Sequence, residues 1–115
     1  MGTIIKKGVN ILGITPEVCL VAQVADGCFA ELGSSCEITS VFRITAFGYH
    51  GSGYAIDFGV DNFPKNVVRY EASKRVVKLL RERLPEYCDV VFGDKRHMDH
   101  IHVEIDLRKA YKSVK

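Results

Sequence analysis

Signals for export and for membrane insertion are missing from this sequence. The Lys6-Lys7 pair near its start is not followed by an apolar run, and the apolar stretch 18–25 is bounded by Glu17 and broken by Gln23. Neither segment fits a signal peptide, and neither is long enough to span a bilayer. We therefore expect a cytoplasmic protein without an export signal of its own, which needs another route to an extracytoplasmic target.

Strong charge and a cysteine framework are also lacking. A formal net charge of +2 is too small to predict nucleic-acid binding, and the lysines near both ends are typical of a solvated surface. The cysteines form no C-x-x-C pair, and we expect them to be small buried side chains in a reducing compartment. There are four of them: Cys19, Cys28, Cys36 and Cys88.

What the sequence does contain is the composition of an ordinary globular domain. Its 115 residues are close to the usual domain size, and 47% hydrophobic against 26% charged residues argue against disorder. No repeat, linker or low-complexity segment divides the chain. We predict one domain over residues 1–115, acting as a monomer.

Two segments have helical patterns. The run Thr15-Pro16-Glu17 supplies a cap, a proline at the first helical position and an early acid, and apolar residues then recur at helical spacing up to Leu32. A second apolar stripe extends from Val67 to Leu84 with basic residues outside it, and Pro85 follows it.

Strand patterns fill the rest of the chain, at 37–42, 53–60, 88–92 and 101–106, with a glycine-rich loop over 45–52. The order α-β-β-α-β-β predicts an α+β fold. We expect a small antiparallel sheet with the helices packed on one face and a metal site on the other face.

The last predicted strand alternates polar and apolar residues. Its polar members occupy every second position and share the face opposite the core: His100, His102 and Glu104. In the strand 53–60 the same parity puts Asp57 on one face with two small residues, Gly53 and Ala55. If these polar faces adjoin, Asp57 and His102 can point at a common ion, with open space in front of it.

His50, at the loop end of the strand, can complete a three-ligand set with Asp57 and His102. Two imidazoles and a carboxylate suit zinc, with a fourth position left for water. Zinc activates water and polarises a carbonyl, as amide hydrolysis requires, and a carboxylate must then carry the proton to the leaving amine. Asp99 is the first candidate for that role, provided that it lies in the turn before the strand, and Glu104 is the second.

These residues resemble a known family. The run His50-x-x-Gly53-x-Ala55-x-Asp57, followed by Asp99-x-x-His102, is similar to the pattern of the zinc D-alanyl-D-alanine carboxypeptidases, a family that includes the L-alanyl-D-glutamate endopeptidases of phage endolysins. The resemblance covers residues 40–106. Several fixed residues agree in both halves of the pattern and in the same order.

The resemblance implies specific roles. Zn2+ would be bound by His50, Asp57 and His102, with Asp99 as the catalytic acid and base. Arg43 matches an arginine that helps to hold the substrate carbonyl or carboxylate. For His100 two roles stay open: it stabilises the oxyanion, or it only lines the cleft.

The implied function is hydrolysis of amide bonds in the peptide stems of peptidoglycan, by a phage endolysin or a virion-associated L-alanyl-D-glutamate endopeptidase. The expected partner is a peptidoglycan peptide, with no nucleic acid and no membrane. One alternative is a D-alanyl-D-alanine carboxypeptidase on the same scaffold. The other is a non-catalytic, metal-stabilised structural or wall-binding module of a phage tail. In this last alternative Gly48, which stands where the family usually has serine, marks lost catalysis.

Overall fold

Two helices and five strands make up the described part of the chain. The computed structural model describes residues 2–9, 15–44, 53–93, 99–106 and 109. The helices are α1 (Pro16–Glu31) and α2 (Arg69–Arg83). The strands are β1 (Thr3–Ile5), β2 (Cys36–Ile44), β3 (Gly53–Gly59), β4 (Cys88–Val91) and β5 (His100–Asp106).

The strands form one mixed sheet in the order β1-β2-β3-β5-β4. β1 pairs parallel with β2, whereas the other three pairings are antiparallel. The predicted α+β fold with two helices is confirmed, but the prediction of an antiparallel sheet is wrong because β1 was not anticipated. β1 has only three residues, all exposed, and such a short strand shows no alternation of buried and exposed positions.

Helix α1 forms where the capping signals predict it. The Thr15 side-chain oxygen accepts a hydrogen bond from the backbone N–H of Val18 at 3.3 Å, and Pro16 occupies the first turn. Gly33 follows the helix at φ 75°, a left-handed conformation that favours glycine and stops the helix.

Helix α2 begins later than its apolar stripe. Val68 is extended and caps the helix without a side-chain hydrogen bond, so the first helical residue is Arg69. Val67 and Val68 are exposed, although their apolar character placed them with the buried stripe in our prediction. No described helix has the length and apolar character needed to cross a lipid bilayer.

Both helices share one core with one face of the sheet. On β3, Ile56 and Phe58 stand opposite Val103 and Ile101 of β5, and all four are fully buried. Phe29 of α1 reaches this layer, with its ring centroid 6.0 Å from that of Phe58. Because these strand residues occupy alternate positions, the residues between them point away from the core.

The cysteines are only partly in the core. Cys28 and Cys36 are buried as predicted, and Cys88 is half-buried. Cys19 is exposed, so the prediction of burial is wrong for this residue: it lies on the outer surface of α1, beside the exposed Leu20. All four thiols are free.

Candidate metal centre

Two histidines and an aspartate converge where β3 meets β5. The antiparallel register places Asp57 opposite His102 and Gly59 opposite His100. Asp57 Oδ1 lies 2.6 Å from His102 Nδ1 and 3.9 Å from His100 Nε2. Each of the three residues offers a ligand atom, and these atoms lie within 4.8 Å of one another. The described residues therefore contain a possible metal-binding triad.

The triad follows from the period of two along the strands. His100 and His102 alternate with Ile101 and Val103, which are fully buried, and Asp57 lies between the buried Ile56 and Phe58 in the same way. The side chain of His102 is 10% exposed and that of Asp57 is 16% exposed. Partial burial strengthens the electrostatic attraction between these groups and a cation, because less water screens them.

Each imidazole also contacts a carboxylate through its other ring nitrogen. His102 Nε2 lies 3.1 Å from Glu104 Oε1, and His100 Nδ1 lies 2.7 Å from Asp99 Oδ1. A carboxylate in that position fixes the tautomer and the ring orientation of a metal-binding histidine. The two imidazoles, the carboxylate and their supporting groups thus form a possible metal-binding set.

The contacts shift two pKa values. The hydrogen bond to Asp57 raises the pKa of His102, although burial opposes this shift, and Glu104 adds to it. The hydrogen bond from His100 is the largest cause of the lowered pKa of Asp99. The lowered pKa favours the carboxylate form of Asp99, and the raised pKa of His102 means that a cation competes with a proton for this ring.

One side of the His102 ring is covered. Phe42 packs against it with ring centroids 6.1 Å apart, and in the register Phe42 stands opposite Ala55. Ala55 is itself fully buried. The expectation of open space over Ala55 is therefore wrong: although the residue is small, its position on the sheet is covered.

The open space lies at the other end of the triad. A cavity of about 340 Å³ is shared by Asp57, His100 and Asp99. The cavity is also lined by residues that the sequence analysis did not assign to a site: Lys6, Glu37, Thr39, Gly59 and Asp61. The alternation of Glu37 and Thr39 with the buried Ile38 is the signal that could have identified part of this wall. A Cβ atom at Gly59 would lie 2.7 Å from Glu37 Oε1, so glycine keeps this part of the cavity open.

The residues predicted from sequence are only partly brought together. Asp57 and His102 adjoin, and Asp99 lies in the bend before β5, with an 83% exposed side chain that contacts His100. Arg43 belongs to β2 and pairs with Tyr54, but its side chain lies outside the described part.

His50, the third ligand predicted from the motif, also lies outside the described residues, as does Gly48. Within those residues, the third member of the triad is His100, for which the sequence suggested a role in the cleft.

Comparison with known proteins supplies no identity for this centre. No family model, no curated protein and no solved structure matches the chain. The centre is characterised by its own geometry: one carboxylate and two imidazoles beside a cavity.

Proposed function

We propose that the chain is a zinc-dependent peptidase that hydrolyses an amide bond in the peptide stems of peptidoglycan. The observation that carries this proposal is the convergence of Asp57, His100 and His102 beside a cavity. Calcium and magnesium prefer all-oxygen sites, whereas two imidazoles and a carboxylate suit zinc. The preferred bond, L-alanyl-D-glutamate, and the setting of a phage endolysin or virion enzyme come from the motif resemblance.

The ligand set has two members on which the motif and the geometry agree, Asp57 and His102. For the third, the motif proposes His50 and the distances among the described residues propose His100. Zinc titration of His50→Ala and His100→Ala separates the two assignments, because removing the ligand weakens binding far more than removing a neighbour. Asp57→Asn in the same series provides the reference for a lost ligand.

A zinc ion held by these residues would supply an activated water and a polarised substrate carbonyl. Asp99, an ionised carboxylate on the cavity wall, would take the proton from that water and pass it to the leaving amine. The cavity volume is that of a site for a small ligand or a short peptide segment. Arg43 would stabilise the oxygen of the scissile amide. If His50 is the third ligand, His100 would share this role with Arg43.

The test is a digest of purified peptidoglycan with zinc-loaded and chelator-treated protein, followed by mass spectrometry of the released peptides. Walls cross-linked through lysine and through diaminopimelate are both used. Zinc-dependent release of stem peptides cut after L-alanine supports the proposal. Asp61→Asn, which changes an exposed carboxylate of the same cavity, is the matched control for Asp57→Asn.

Two other outcomes overturn the proposal as stated. Loss of terminal D-alanine alone would assign the chain as a carboxypeptidase on the same scaffold. Tight zinc binding without cleavage of any wall would assign it as a metal-stabilised structural or wall-binding module.

A further inference from the structure

We infer that Glu104 is a positioning residue: it accepts the Nε2–H of His102 and thereby turns Nδ1 toward the metal. The inference rests on the proposed metal centre and assigns an atom to it. The sequence left Glu104 with another role, as the second candidate for the acid and base. Three structural relationships argue for positioning instead.

The first is the placement of two carboxylates around one ring. Asp57 Oδ1 is 2.6 Å from Nδ1 of His102, and Glu104 Oε1 is 3.1 Å from Nε2. A neutral imidazole has one N–H and one lone pair, so only one of its nitrogens can bind a cation while the other donates a hydrogen bond. With a metal on one ring nitrogen, the two carboxylates therefore have different functions.

The second is the position of His100. Its Nε2 lies 3.9 Å from Asp57 Oδ1, the same oxygen that contacts Nδ1 of His102. Ligand atoms of Asp57, His100 and His102 form the compact set, and Glu104 is not a member of it. The metal side of His102 is thus the Nδ1 side, and Nε2–H is left to donate to Glu104.

The third is the location of Glu104 relative to the cavity. Among the described residues, Asp57, His100 and Asp99 line the cavity beside the triad, whereas Glu104 does not. Glu104 instead lies on β5 between Ala55 of β3 and Asp89 of β4, with backbone pairing on both sides. A carboxylate on an inner strand, away from the substrate space, is suited to orienting His102 and not to transferring a proton.

The experiment compares zinc affinity in four full-length proteins by competition with a chelating dye: wild type, Glu104→Leu, Glu104→Gln and Asp89→Asn. We expect Glu104→Leu to bind zinc about 10- to 100-fold more weakly, the usual effect of losing such a partner. Glu104→Gln should lose less zinc affinity than Glu104→Leu, because its amide oxygen still accepts the Nε2–H of His102. It also keeps the size of the side chain, so it remains a test if Glu104→Leu fails to fold.

Asp89→Asn controls for charge. Asp89 stands directly opposite Glu104 and is exposed, so its substitution removes a negative charge from the same face. We expect its zinc affinity to change by less than about threefold, because exposed charges contribute little. An equal loss in Asp89→Asn and Glu104→Gln would reduce the role of Glu104 to general attraction of a cation and would overturn the inference.

Nitrogen-15 NMR of the zinc-loaded protein supplies a readout that a purely structural role would not change. In the wild type, Nδ1 of His102 should carry the metal-bound shift and Nε2 a proton that exchanges slowly with water. In Glu104→Gln that proton should exchange faster, with Nδ1 still bound. Zinc on Nε2, or unchanged zinc affinity in both Glu104 variants, would contradict the inference.

Failure of the two proposals can be told apart. If the wild-type protein binds no zinc, both the proposed metal centre and the positioning role of Glu104 are refuted. If the wild type binds zinc and the Glu104 variants bind it more weakly, but peptidoglycan is not cleaved, the proposed peptidase activity is refuted and the role of Glu104 is supported. If peptidoglycan is cleaved and the variants bind zinc normally, only the role of Glu104 falls.

Discussion

Asp57 and His102 stand directly opposite each other on neighbouring strands, and their side chains meet at 2.6 Å although they are 45 positions apart in the chain. The pairing of β3 with β5 is therefore what creates the centre. The predictions about the metal centre depend on that register, because a shift of one strand by one residue would turn its side chains away from those of the other strand.

Removal of a ligand should strongly weaken zinc binding without unfolding the chain. Asp57→Asn keeps the size of the side chain. We expect it to lower zinc affinity by more than the roughly 100-fold that loss of a supporting partner can cost. Equilibrium dialysis with metal analysis measures this, and circular dichroism checks the fold. Asp61→Asn should bind zinc normally, and normal binding by Asp57→Asn would refute the centre.

Asp99 should affect turnover and not metal affinity. Asp99→Asn keeps an oxygen that accepts the hydrogen bond from His100 Nδ1 but cannot take a proton, so we expect kcat for peptide hydrolysis to fall by about 100- to 10,000-fold. Zinc affinity should stay near that of the wild type. A parallel loss of zinc affinity and turnover would show that Asp99 acts only by holding His100.

The thiols should differ sharply in reactivity. Cys19 is exposed, whereas burial raises the pKa of Cys36 to about 12 and that of Cys88 to about 11, and burial also raises the pKa of Cys28. Because the thiolate is the reactive form, a colorimetric disulfide reagent at pH 7.5 should titrate Cys19 quickly and the others slowly. Cys19→Ala should remove the fast phase; a fast phase that persists would contradict the described burial.

Burial of Cys36 should also make the fold less stable at alkaline pH. In the folded chain the pKa of Cys36 is about 12, above the ordinary value of 9.0. The contribution of this thiol to the free energy of unfolding is therefore complete below pH 9 and is lost as pH rises toward 12. Over that pH range the unfolded chain releases a proton that the folded chain keeps. This lowers the free energy of unfolding by about 1.4 kcal/mol per pH unit. Urea unfolding at pH 7 to 10 should give a shallower pH dependence for Cys36→Ala than for wild type or Cys19→Ala. Equal slopes in all three would argue against the shift.

Truncation of Phe29, the one aromatic residue of α1, should strongly destabilise the fold. Its ring lies 6.0 Å from Phe58 and 5.8 Å from Phe63 between centroids, and it is fully buried. We expect Phe29→Ala to lower the free energy of unfolding by about 3–5 kcal/mol through lost contacts and a cavity. Leu20→Ala on the exposed surface of the same helix should cost less than about 1 kcal/mol. Similar losses for both would contradict the position of the core.

The parts of the fold that could be predicted are those with a repeating pattern. Alternation in 100–105 and 53–58 predicted correctly which residues face the core, and the Thr15 cap predicted the start of α1. β1 could not be predicted, since three exposed residues carry no period.

The site was harder to predict from the sequence than the fold. Alternation grouped Asp57 with the histidines of β5, but it cannot fix side-chain rotamers. The 3.9 Å approach of His100 to Asp57 and the contact of Asp99 with His100 depend on such rotamers. The cavity beside Gly59 depends on the register between β2 and β3, which shifts between Ile38 and Ser40, and one sequence does not reveal that shift.

The strand order gives the centre a further property. β5 follows all the other described strands in the chain, yet it lies between β3 and β4 in the sheet. A nascent chain therefore carries Asp57 long before β5 is available to supply its histidines. Metal capture should then coincide with insertion of β5, and an ion at 100 times its dissociation constant would add about 2.7 kcal/mol to the folded state. For the proposed zinc centre, the supply of zinc should then affect how long the protein survives proteolysis, independently of any substrate.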